Sequence, residues 1–467
     1  MRLSRLTAAL LALAVTGCAS GGAASSVSTA TPAASTRSPA AAASTTPATQ
    51  QAAWNWPNYH ADAAHTGYAP GTPPAGPLAI AWRRRLNGAV YGQPLAVGGL
   101  VIAATEGDSV FGLDRATGQV RWRVHIGTPV PLSALPCGDI NPLGITSTLV
   151  YDPATGLVYA LAETAGYHHV LVGVNVQSGQ VAFRRAIPTP DGHPRSDQQR
   201  GALAVADGRV YIPFGGLAGD CGPYRGSVVG VPVSGHGPLI SYVVPTAREG
   251  GIWTPGGPVI SPGGTLYVGV GNGAATSGTY DGSDSVTALS LTLRETGIFA
   301  PDVWPQDNAG DVDLGSLSPV LLPSGLVLQV GKRGIGYLLD GAHLGGVGGQ
   351  LTAAAICQAF GGAAVRGTVA YIPCANGGLA AVDMAGQRLR VRWRGPATAA
   401  GSPVLGGGAV WVADLGAGVL YQLSPASGQV RQQIRLGAEL PHFASPSLSG
   451  PLVLIGTMHG VVAVSGA

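Results

Sequence analysis

The segment VFGLDRATGQVRW, residues 110–122, decides the fold. Its first part, Val110–Asp114, is a short apolar run typical of a strand, the residues up to Gly118 form a turn, and a second strand ends at Trp122. Working outward, another strand begins at Gln93-Pro94-Leu95, and a β-rich run covers Leu100–Ala104. One unit of the chain therefore holds four short strands.

The same unit recurs along the chain every 40 to 60 residues or so, which is the period of propeller blades. Strands equivalent to Val110–Asp114 occur at Leu171–Val174, Gly336–Asp340 and Val419–Leu423. Seven complete units run from about residue 90 to 437, and residues 442–467 supply only the start of an eighth.

The outer strand that the eighth unit lacks is present near the other end of the chain. Leu78–Trp82 reads as an outer strand without a blade of its own. We expect it to complete the last blade and to close the ring, which leaves no open blade. The sequence therefore predicts an all-β protein, an eight-bladed β-propeller of four-stranded antiparallel blades.

The composition agrees with many short strands joined by turns. Of 467 residues, 46% are hydrophobic, only 10% are charged, 73 are Gly and 36 are Pro, which excludes a helical bundle or a coiled coil. The net charge is +3, and no basic run with interleaved aromatic residues occurs, so nucleic acid is not an expected partner. Among the basic residues, Lys332 is the only lysine.

The N-terminus has the features of an export signal. Residues 1–18 contain two arginines, the apolar run Leu6–Val15, and Val15-Thr-Gly-Cys18, which resembles the lipobox of bacterial lipoproteins. An ordinary signal peptide with a chance cysteine is the alternative. Residues 19–53 are mostly Ala, Ser, Thr and Pro and are expected to form a disordered tether ahead of the propeller at 54–467. We therefore expect lipidation at Cys18 to hold the protein at the outer face of a bacterial membrane, through that anchor only.

Four further cysteines are expected to be exported into an oxidising compartment, where disulfides form. Four cysteines can form two disulfides in three different ways. Cys357 with Cys374 would close a short loop, and Cys137 with Cys221 would then tie loops of neighbouring repeats. These two disulfides are the pairing that we predict. No C-x-x-C spacing points to metal binding instead.

Two motifs resemble a known family. Asp114 to Trp122 fits D-x-x-T-G-x-x-x-W, which looks like the pyrroloquinoline-quinone (PQQ) repeat, and Trp56-Pro-Asn-Tyr-His60 with His65-Thr-Gly-Tyr68 resembles the start of bacterial PQQ-repeat proteins. The resemblance covers about residues 54–467. It implies an eight-bladed propeller related both to quinoprotein alcohol dehydrogenases and to the propeller lipoprotein of outer-membrane protein assembly.

Five residues occur in the chain order of a quinoprotein dehydrogenase site. The resemblance implies that Asp220 and Asn272 would be calcium ligands, that Trp253 would support the quinone ring, that Asp284 would be the catalytic aspartate, and that Lys332 would contact the quinone. Calcium takes oxygen ligands and polarises a carbonyl, and a carboxylate can accept the proton of an alcohol. The cofactors implied are PQQ and calcium.

Each of these residues also has a purely structural interpretation. Asn272-Gly273 is a common hairpin turn, Asp220 and Asp284 can cap turns, Trp253 can pack between blades, and Lys332 can be a solvated loop charge. The sequence also departs from the dehydrogenases, since it has neither two adjacent cysteines nor a C-x-x-C-H haem motif.

Two further groups of residues resemble ligand sets more weakly. Asp302, Asp307, Asp311 and Asp313 form an acidic loop whose spacing does not match an EF-hand. The pair His168-His169 is expected in an exposed loop, as polar surface rather than as metal ligands.

The leading hypothesis from the sequence is a binding or scaffold propeller that is not an enzyme. Its partner would be an unidentified protein or small molecule at the mouth of the ring, and we expect a monomer. The alternative is a calcium- and PQQ-dependent alcohol or sugar dehydrogenase.

Overall fold

The computed structural model describes residues 54–466, so the expected signal peptide, Cys18 and the tether 19–53 lie outside the described residues. Eight sheets form the blades of a ring. Two strands precede the first blade, β1 (Tyr68–Ala69) and β2 (Ala79–Arg85). The predicted all-β, eight-bladed propeller is confirmed.

The first four blades follow in chain order. Blade 1 contains β3 (Leu95–Val97), β4 (Leu100–Thr105), β5 (Ser109–Asp114) and β6 (Val120–His125). Blade 2 contains β7 (Val150–Asp152), β8 (Leu157–Thr164), β9 (His168–Asn175) and β10 (Val181–Ala186). Blade 3 contains the added strand β11 (Asp197–Gln198) with β12 (Ala204–Ala206), β13 (Arg209–Gly216), β14 (Ser227–Pro232) and β15 (Ile240–Val243). Blade 4 contains β16 (Val259–Ile260), β17 (Leu266–Val270), β18 (Ser285–Leu289) and β19 (Glu295–Ala300).

The last four blades repeat the pattern. Blade 5 contains β20 (Val320–Leu321), β21 (Leu326–Val330), β22 (Ile335–Asp340) and β24 (Thr352–Ala355), while β23 (Gly346–Val347) runs parallel to β19 of blade 4. Blade 6 contains β25 (Ala364–Arg366), β26 (Val369–Pro373), β27 (Leu379–Asp383) and β28 (Arg390–Arg394). Blade 7 contains β29 (Val404–Gly406), β30 (Ala409–Asp414), β31 (Val419–Leu423) and β32 (Val430–Arg435). Blade 8 contains β33 (Ser447–Ser449), β34 (Leu452–Thr457) and β35 (Gly460–Ser465).

The only helical segments among the described residues are one short α-helix and three 3-10 turns. The α-helix, α1 (Trp304–Ala309), follows β19, and the 3-10 turns cover Leu132–Ala134, Leu314–Ser316 and Ala385–Gln387. Nowhere in residues 54–466 is there a helix whose length and apolar character would let it cross a membrane.

The ring closes through the N-terminal strand, as the sequence predicted. Strand β2 pairs antiparallel with β35 and supplies the fourth strand of blade 8, with Trp82 opposite Ala463 and Arg85 opposite Gly460. The first strands of successive blades contact each other, including β33 of blade 8 with β3 of blade 1, so these strands surround the axis. The fourth strands therefore form the outer rim.

Aromatic residues on several outer strands join one blade to the next. The indole of Trp122 on β6 donates a hydrogen bond to the carbonyl of Val176 in blade 2, at 3.0 Å, and its ring covers Gly179. Trp82 on β2 makes the equivalent contact across the closure, at 2.9 Å to Arg115 O and over Gly118. The Gly and Trp of the repeat are therefore structural.

The segment before β2 crosses one end of the central channel. Its backbone exchanges hydrogen bonds with the first strands of five blades, through the pairs Trp56–Ala96, Pro57–Tyr151, Ala63–Ile260, Thr66–Val365 and Gly67–Leu405. Strand β1 also runs parallel to β29. We call residues 54–69 the plug.

Two stacked rings of the plug fill the channel. Tyr59 and His60 lie 4.2 Å apart, centroid to centroid, and both are buried. The two ring nitrogens of His60 lie 3.1 Å from Ala363 O and 3.1 Å from Ser445 Oγ, so the imidazole is fixed by blade 6 and by the segment that leads into blade 8. Burial lowers the pKa of His60 to about 3, which keeps the ring neutral.

Candidate functional site

The strands of each blade alternate in direction, so the loops between second and third strands share one end of the ring with the connections between blades. At this end, the mouth, a pocket of about 310 Å³ opens. Its lining includes charged and aromatic side chains from several blades: Asp139, Arg200, Asp220, Trp253, Asp311, Asp313, Lys332, Phe360, His442 and Phe443.

The structure brings most of the predicted site residues together at this mouth. Asp220, Trp253 and Lys332 line the pocket, and Asp220 and Asn272 line an adjoining cleft. Asp284 is fully buried behind them and lines neither space. The roles that the resemblance implies for these five residues stay predictions.

Lys332 is held by two carboxylates. Its Nζ lies 2.6 Å from Asp313 Oδ2 and 2.7 Å from Asp311 Oδ1, while its side chain is 19% exposed. Although burial opposes its charge, the two carboxylates raise the pKa of Lys332. Burial also raises the pKa of Asp313, and the Lys332 ammonium counteracts that rise. The lysine is thus an ion-paired wall residue rather than a solvated loop charge.

Asn272 lies in a long loop between β17 and β18, not in a two-residue hairpin turn. Its backbone N–H donates to Asp313 Oδ1 at 2.8 Å, and its side-chain amide is 3.4 Å from Glu249 Oε2. Asp220 accepts a hydrogen bond from the hydroxyl of Tyr224. Both residues therefore already have protein partners.

Asp284 contacts the next blade connection instead of its own turn. Its Oδ1 accepts the backbone N–H of Leu314 at 2.9 Å, and its Oδ2 is buried without a partner in the described part of the chain. Burial raises the pKa of Asp284 well above its usual range, and the nearby Asp313 carboxylate adds to the effect. The burial and the raised pKa therefore both favour the uncharged form of this carboxyl, which lines neither the pocket nor the adjoining cleft.

An aromatic group with an arginine forms the rest of the pocket. Phe360 and Phe443 stack at 5.7 Å between centroids, and Trp253 lies 6.5 Å and 6.3 Å from them. The guanidinium of Arg200 lies over Phe443, with Cζ 4.9 Å from the ring centroid. Phe443 itself has a φ of 64°, a left-handed conformation that is rare for a bulky residue.

Arg200 has no carboxylate partner. Its Nε is buried and makes no hydrogen bond, and in residues 54–466 no ion pair involves this side chain. Burial lowers the pKa of Arg200, and Asp139 in part offsets this effect. Arg200 and Phe443 line both the mouth pocket and a small cavity that also contacts Tyr59 of the plug. The mouth thus carries a partly buried guanidinium that forms no ion pair within residues 54–466.

A second polar group lies in blades 1 to 3, outside the pocket. Glu106, Asp108 and Asp197 are buried, and burial raises the pKa to about 8 for Glu106, about 8 for Asp108 and about 9 for Asp197. Glu163 accepts the backbone N–H of Gln199 at 2.6 Å. Across the described residues, no three His, Cys, Asp or Glu side chains are placed to hold a metal ion.

The histidine pair and the acidic loop differ from what the sequence suggested. His168 and His169 lie in β9 rather than in a loop, and His169 is buried with its ring 5.1 Å from that of Phe214, so the expectation of an exposed pair was wrong. In the acidic loop, Asp307 pairs with Arg333 while Asp311 and Asp313 pair with Lys332.

The two predicted disulfides, Cys137–Cys221 and Cys357–Cys374, are confirmed. The first ties the connection between blades 1 and 2 to the loop of blade 3 and flanks the pocket residues Asp139 and Asp220. The second fixes the connection that carries Phe360. Both bridges therefore constrain walls of the mouth.

Five charged or aromatic pocket residues were missed from the sequence: Asp139, Arg200, Phe360, His442 and Phe443. They lie in connections between blades and belong to no motif. Their common signal is positional, because each lies between the last strand of one blade and the first strand of the next, where the chain returns to the mouth. Asp313 was noticed only as part of an acidic loop.

The ring of eight four-stranded blades defines the class of this molecule, an eight-bladed β-propeller. Within it, residues 79–215 match the family model described as outer membrane protein assembly factor BamB. No curated protein sequence matches the chain.

Solved structures show the same fold at low identity. A quinohemoprotein alcohol dehydrogenase, ADHIIG from Pseudomonas putida HK5, is 16% identical with a TM-score of 0.69, covering 89% of this chain and 80% of its own. A europium-containing methanol dehydrogenase is 14% identical with a TM-score of 0.66, covering 90% and 99%. BamB from Moraxella catarrhalis is 12% identical with a TM-score of 0.59, covering 84% and 100%. At these identities the likeness concerns the fold alone.

Proposed function

We propose that this protein is an extracytoplasmic, lipid-anchored binding propeller whose ligand, a small molecule or a segment of a partner protein, enters the mouth pocket. The observation that carries this proposal is Arg200, a cation in an aromatic pocket that has no carboxylate partner within residues 54–466. A partly desolvated charge that forms no ion pair is unfavourable, and an anionic ligand would relieve that cost.

The pocket indicates the chemistry of the ligand. Trp253, Phe360 and Phe443 offer flat apolar faces, and Arg200 offers a planar donor suited to a carboxylate. A ligand that combines an aromatic or apolar ring with a carboxylate matches both the apolar faces and the guanidinium. Lys332 pairs with both Asp311 and Asp313 and offsets one of their two negative charges, so this wall opposes an anion less than two unpaired carboxylates would.

The same geometry disfavours catalysis. Lys332 is already paired with two carboxylates, and Asp284 is fully buried, with a pKa that burial raises well above its usual range. The alternative, a dehydrogenase that depends on calcium and PQQ, is favoured by one observation, the convergence of Asp220, Trp253, Asn272 and Lys332 at one mouth. Within residues 54–466 no three acidic, His or Cys side chains are grouped for a metal, so a calcium ion there would rely on Asp220, on the amide oxygen of Asn272 and on oxygens of the cofactor.

A direct test is titration of the full chain with 2-naphthoate, followed by quenching of tryptophan fluorescence. We expect saturable binding that Arg200→Gln weakens about tenfold or more, since a buried charge-assisted hydrogen bond contributes roughly 1.5–3 kcal/mol. Arg209→Gln removes the same charge from the opposite end of blade 3 and should leave binding unchanged. Binding that is insensitive to Arg200→Gln would refute the proposal.

A second measurement distinguishes the binding propeller from the alternative, a PQQ-dependent dehydrogenase. The full chain is incubated with PQQ and calcium and assayed for a bound-quinone spectrum and for alcohol-dependent dye reduction. We expect neither. Calcium-dependent quinone binding that Asn272→Ala and Lys332→Ala both weaken, together with dye reduction, would favour the dehydrogenase.

A further inference from the structure

Arginines are concentrated on part of the outer rim. Every outer strand of five blades, β28, β32, β2, β6 and β10, carries two or three arginines and no acidic residue. These strands belong to blades 6, 7, 8, 1 and 2, which follow one another around the ring across its closure. The outer strands of blades 3, 4 and 5 carry no arginine.

Most of this charge faces solvent without compensation. Of the twelve arginines on the five strands, ten are exposed, and their positions alternate with side chains that pack against a neighbouring blade. Among the described residues only Arg121 and Arg392 of this set contact a carboxylate. Because the net charge of the whole chain is only +3, the rim is strongly polarised.

Protection of sheet edges does not explain the distribution. Charged residues on an outer strand do discourage pairing with another sheet. That need is the same for every blade, yet the edges of blades 3 and 5 lack arginine, and only blade 4 has its edge covered by another strand, β23. We therefore infer that the arc of arginines binds a partner.

We propose that the arginine arc of blades 6, 7, 8, 1 and 2 binds a flexible linear polyanion of the carboxylate-bearing polysaccharide class. The arc covers more than half of a convex rim, so a flat membrane touches only a small part of it, whereas a flexible chain can follow it. Guanidinium groups match carboxylates in a bidentate geometry. This partner is independent of the ligand proposed for the mouth.

Nucleic acids fit the arc poorly. The aromatic residues of these strands, such as Trp82, Trp122 and Phe183, are buried against the next blade and offer no face on which a base can stack. Duplex DNA is too stiff, with a persistence length of about 50 nm, to bend around a rim of this size.

The test uses the full chain with Cys18→Ser, so that no lipid is attached, and polygalacturonate as the probe. We expect binding at low salt that falls steeply as salt rises, as counterion release requires. Arg85→Gln with Arg435→Gln, two arginines without side-chain hydrogen bonds on neighbouring blades, should weaken it about tenfold. Arg209→Gln with Arg294→Gln removes the same charge outside the arc and should have little effect.

Three results would overturn the proposal. The first is absence of binding to polygalacturonate at low salt. The second is equal weakening by both double variants, which would mean that only net charge matters. The third is tighter binding to single-stranded DNA, or to vesicles of phosphatidylglycerol and phosphatidylcholine, with the same dependence on Arg85 and Arg435.

Discussion

The ammonium of Lys332 lies 2.6 Å from the Oδ2 of Asp313, so the one lysine of the chain neutralises a carboxylate that is only 4% exposed. Asp313 in turn accepts the backbone N–H of Asn272 at 2.8 Å. This contact links the loops of blades 4 and 5 and sets the charge of one pocket wall. Its removal should therefore affect stability in a way that depends on pH.

We expect Lys332→Met to lower the free energy of unfolding by about 3 kcal/mol at pH 7, because it leaves a buried carboxylate without its counter-charge. The pKa of Asp313, already raised by burial, should rise further, so the loss should be smaller at pH 4 than at pH 7, because acid favours the uncharged carboxyl. Urea unfolding at both pH values measures this. Adding Asp313→Asn should restore much of the loss at pH 7, and failure to do so would contradict the pairing.

Asp108 should make the protein less stable as pH rises. Burial raises the pKa of Asp108 to about 8, whereas an unfolded aspartate titrates near about 4. The folded chain thus keeps a proton that the unfolded chain releases, so this contribution is complete below about pH 4 and is lost as pH rises through about 8.

Asp108→Asn mimics the protonated form and should remove this dependence. We expect it to raise the free energy of unfolding by about 2 kcal/mol at pH 8 relative to the unaltered protein, and by much less at pH 5. Denaturant unfolding across this range gives the answer. An equal effect at both pH values would mean that Asp108 is ionised in the folded chain.

The fold was predictable because each blade repeats the same local signals. The turn after Asp114, the aromatic residue at Trp122 and the unpaired strand at Leu78–Trp82 each have a structural counterpart in the ring. Because the unit is repeated, the same pattern of strands and turns can be recognised at several places in the chain. Closure of the ring is then predicted because the last unit lacks one strand and the N-terminal segment has one strand to spare.

The site was predictable only in part. Asp220, Trp253 and Lys332 lie in motif-bearing loops, and their common position at one end of the strands brings them to one pocket. Arg200 and Phe443 are in contact there although they are far apart in sequence, so no local sequence pattern predicts their contact. The burial of Asp284 depends on packing against the connection at Leu314, which the sequence of its own loop does not contain.

The disulfides should stabilise the mouth rather than take part in redox chemistry. Replacing Cys357 and Cys374 with Ser should lower the free energy of unfolding by about 3 kcal/mol, because that bridge closes a loop with a sequence separation of 17. Replacing Cys137 and Cys221, whose separation is 84, should lower it by about 4 kcal/mol and also weaken naphthoate binding. Non-reducing peptide mapping checks the pairing, and free thiols at these positions would contradict it.

The proposed membrane anchor can be tested with one substitution. Cys18→Ser should release the protein from membranes and leave the unfolding transition of the propeller unchanged, because the altered residue precedes the tether. The measurement is sedimentation of membranes after a high-salt wash. A variant that still sediments with them would show that the lipid is not the anchor.

Gly118 should be among the least replaceable residues of the ring, because it lies at the closure. It has a φ of 67°, and a Cβ placed on it would lie 2.5 Å from the indole of Trp82. Alanine there must adopt a left-handed conformation, at about 1 kcal/mol, and displace the ring that joins blade 8 to blade 1, at about 2 kcal/mol more. Gly208 separates these two effects, since it has a φ of 68° and nothing within 4 Å of such a Cβ. We therefore expect Gly118→Ala to lower the free energy of unfolding by about 3 kcal/mol and Gly208→Ala by about 1 kcal/mol. Urea unfolding of the two variants in parallel measures both losses of stability. Equal losses would mean that the contact with Trp82 does not stabilise the closure, and that β2 closes the ring through its backbone pairing with β35 alone.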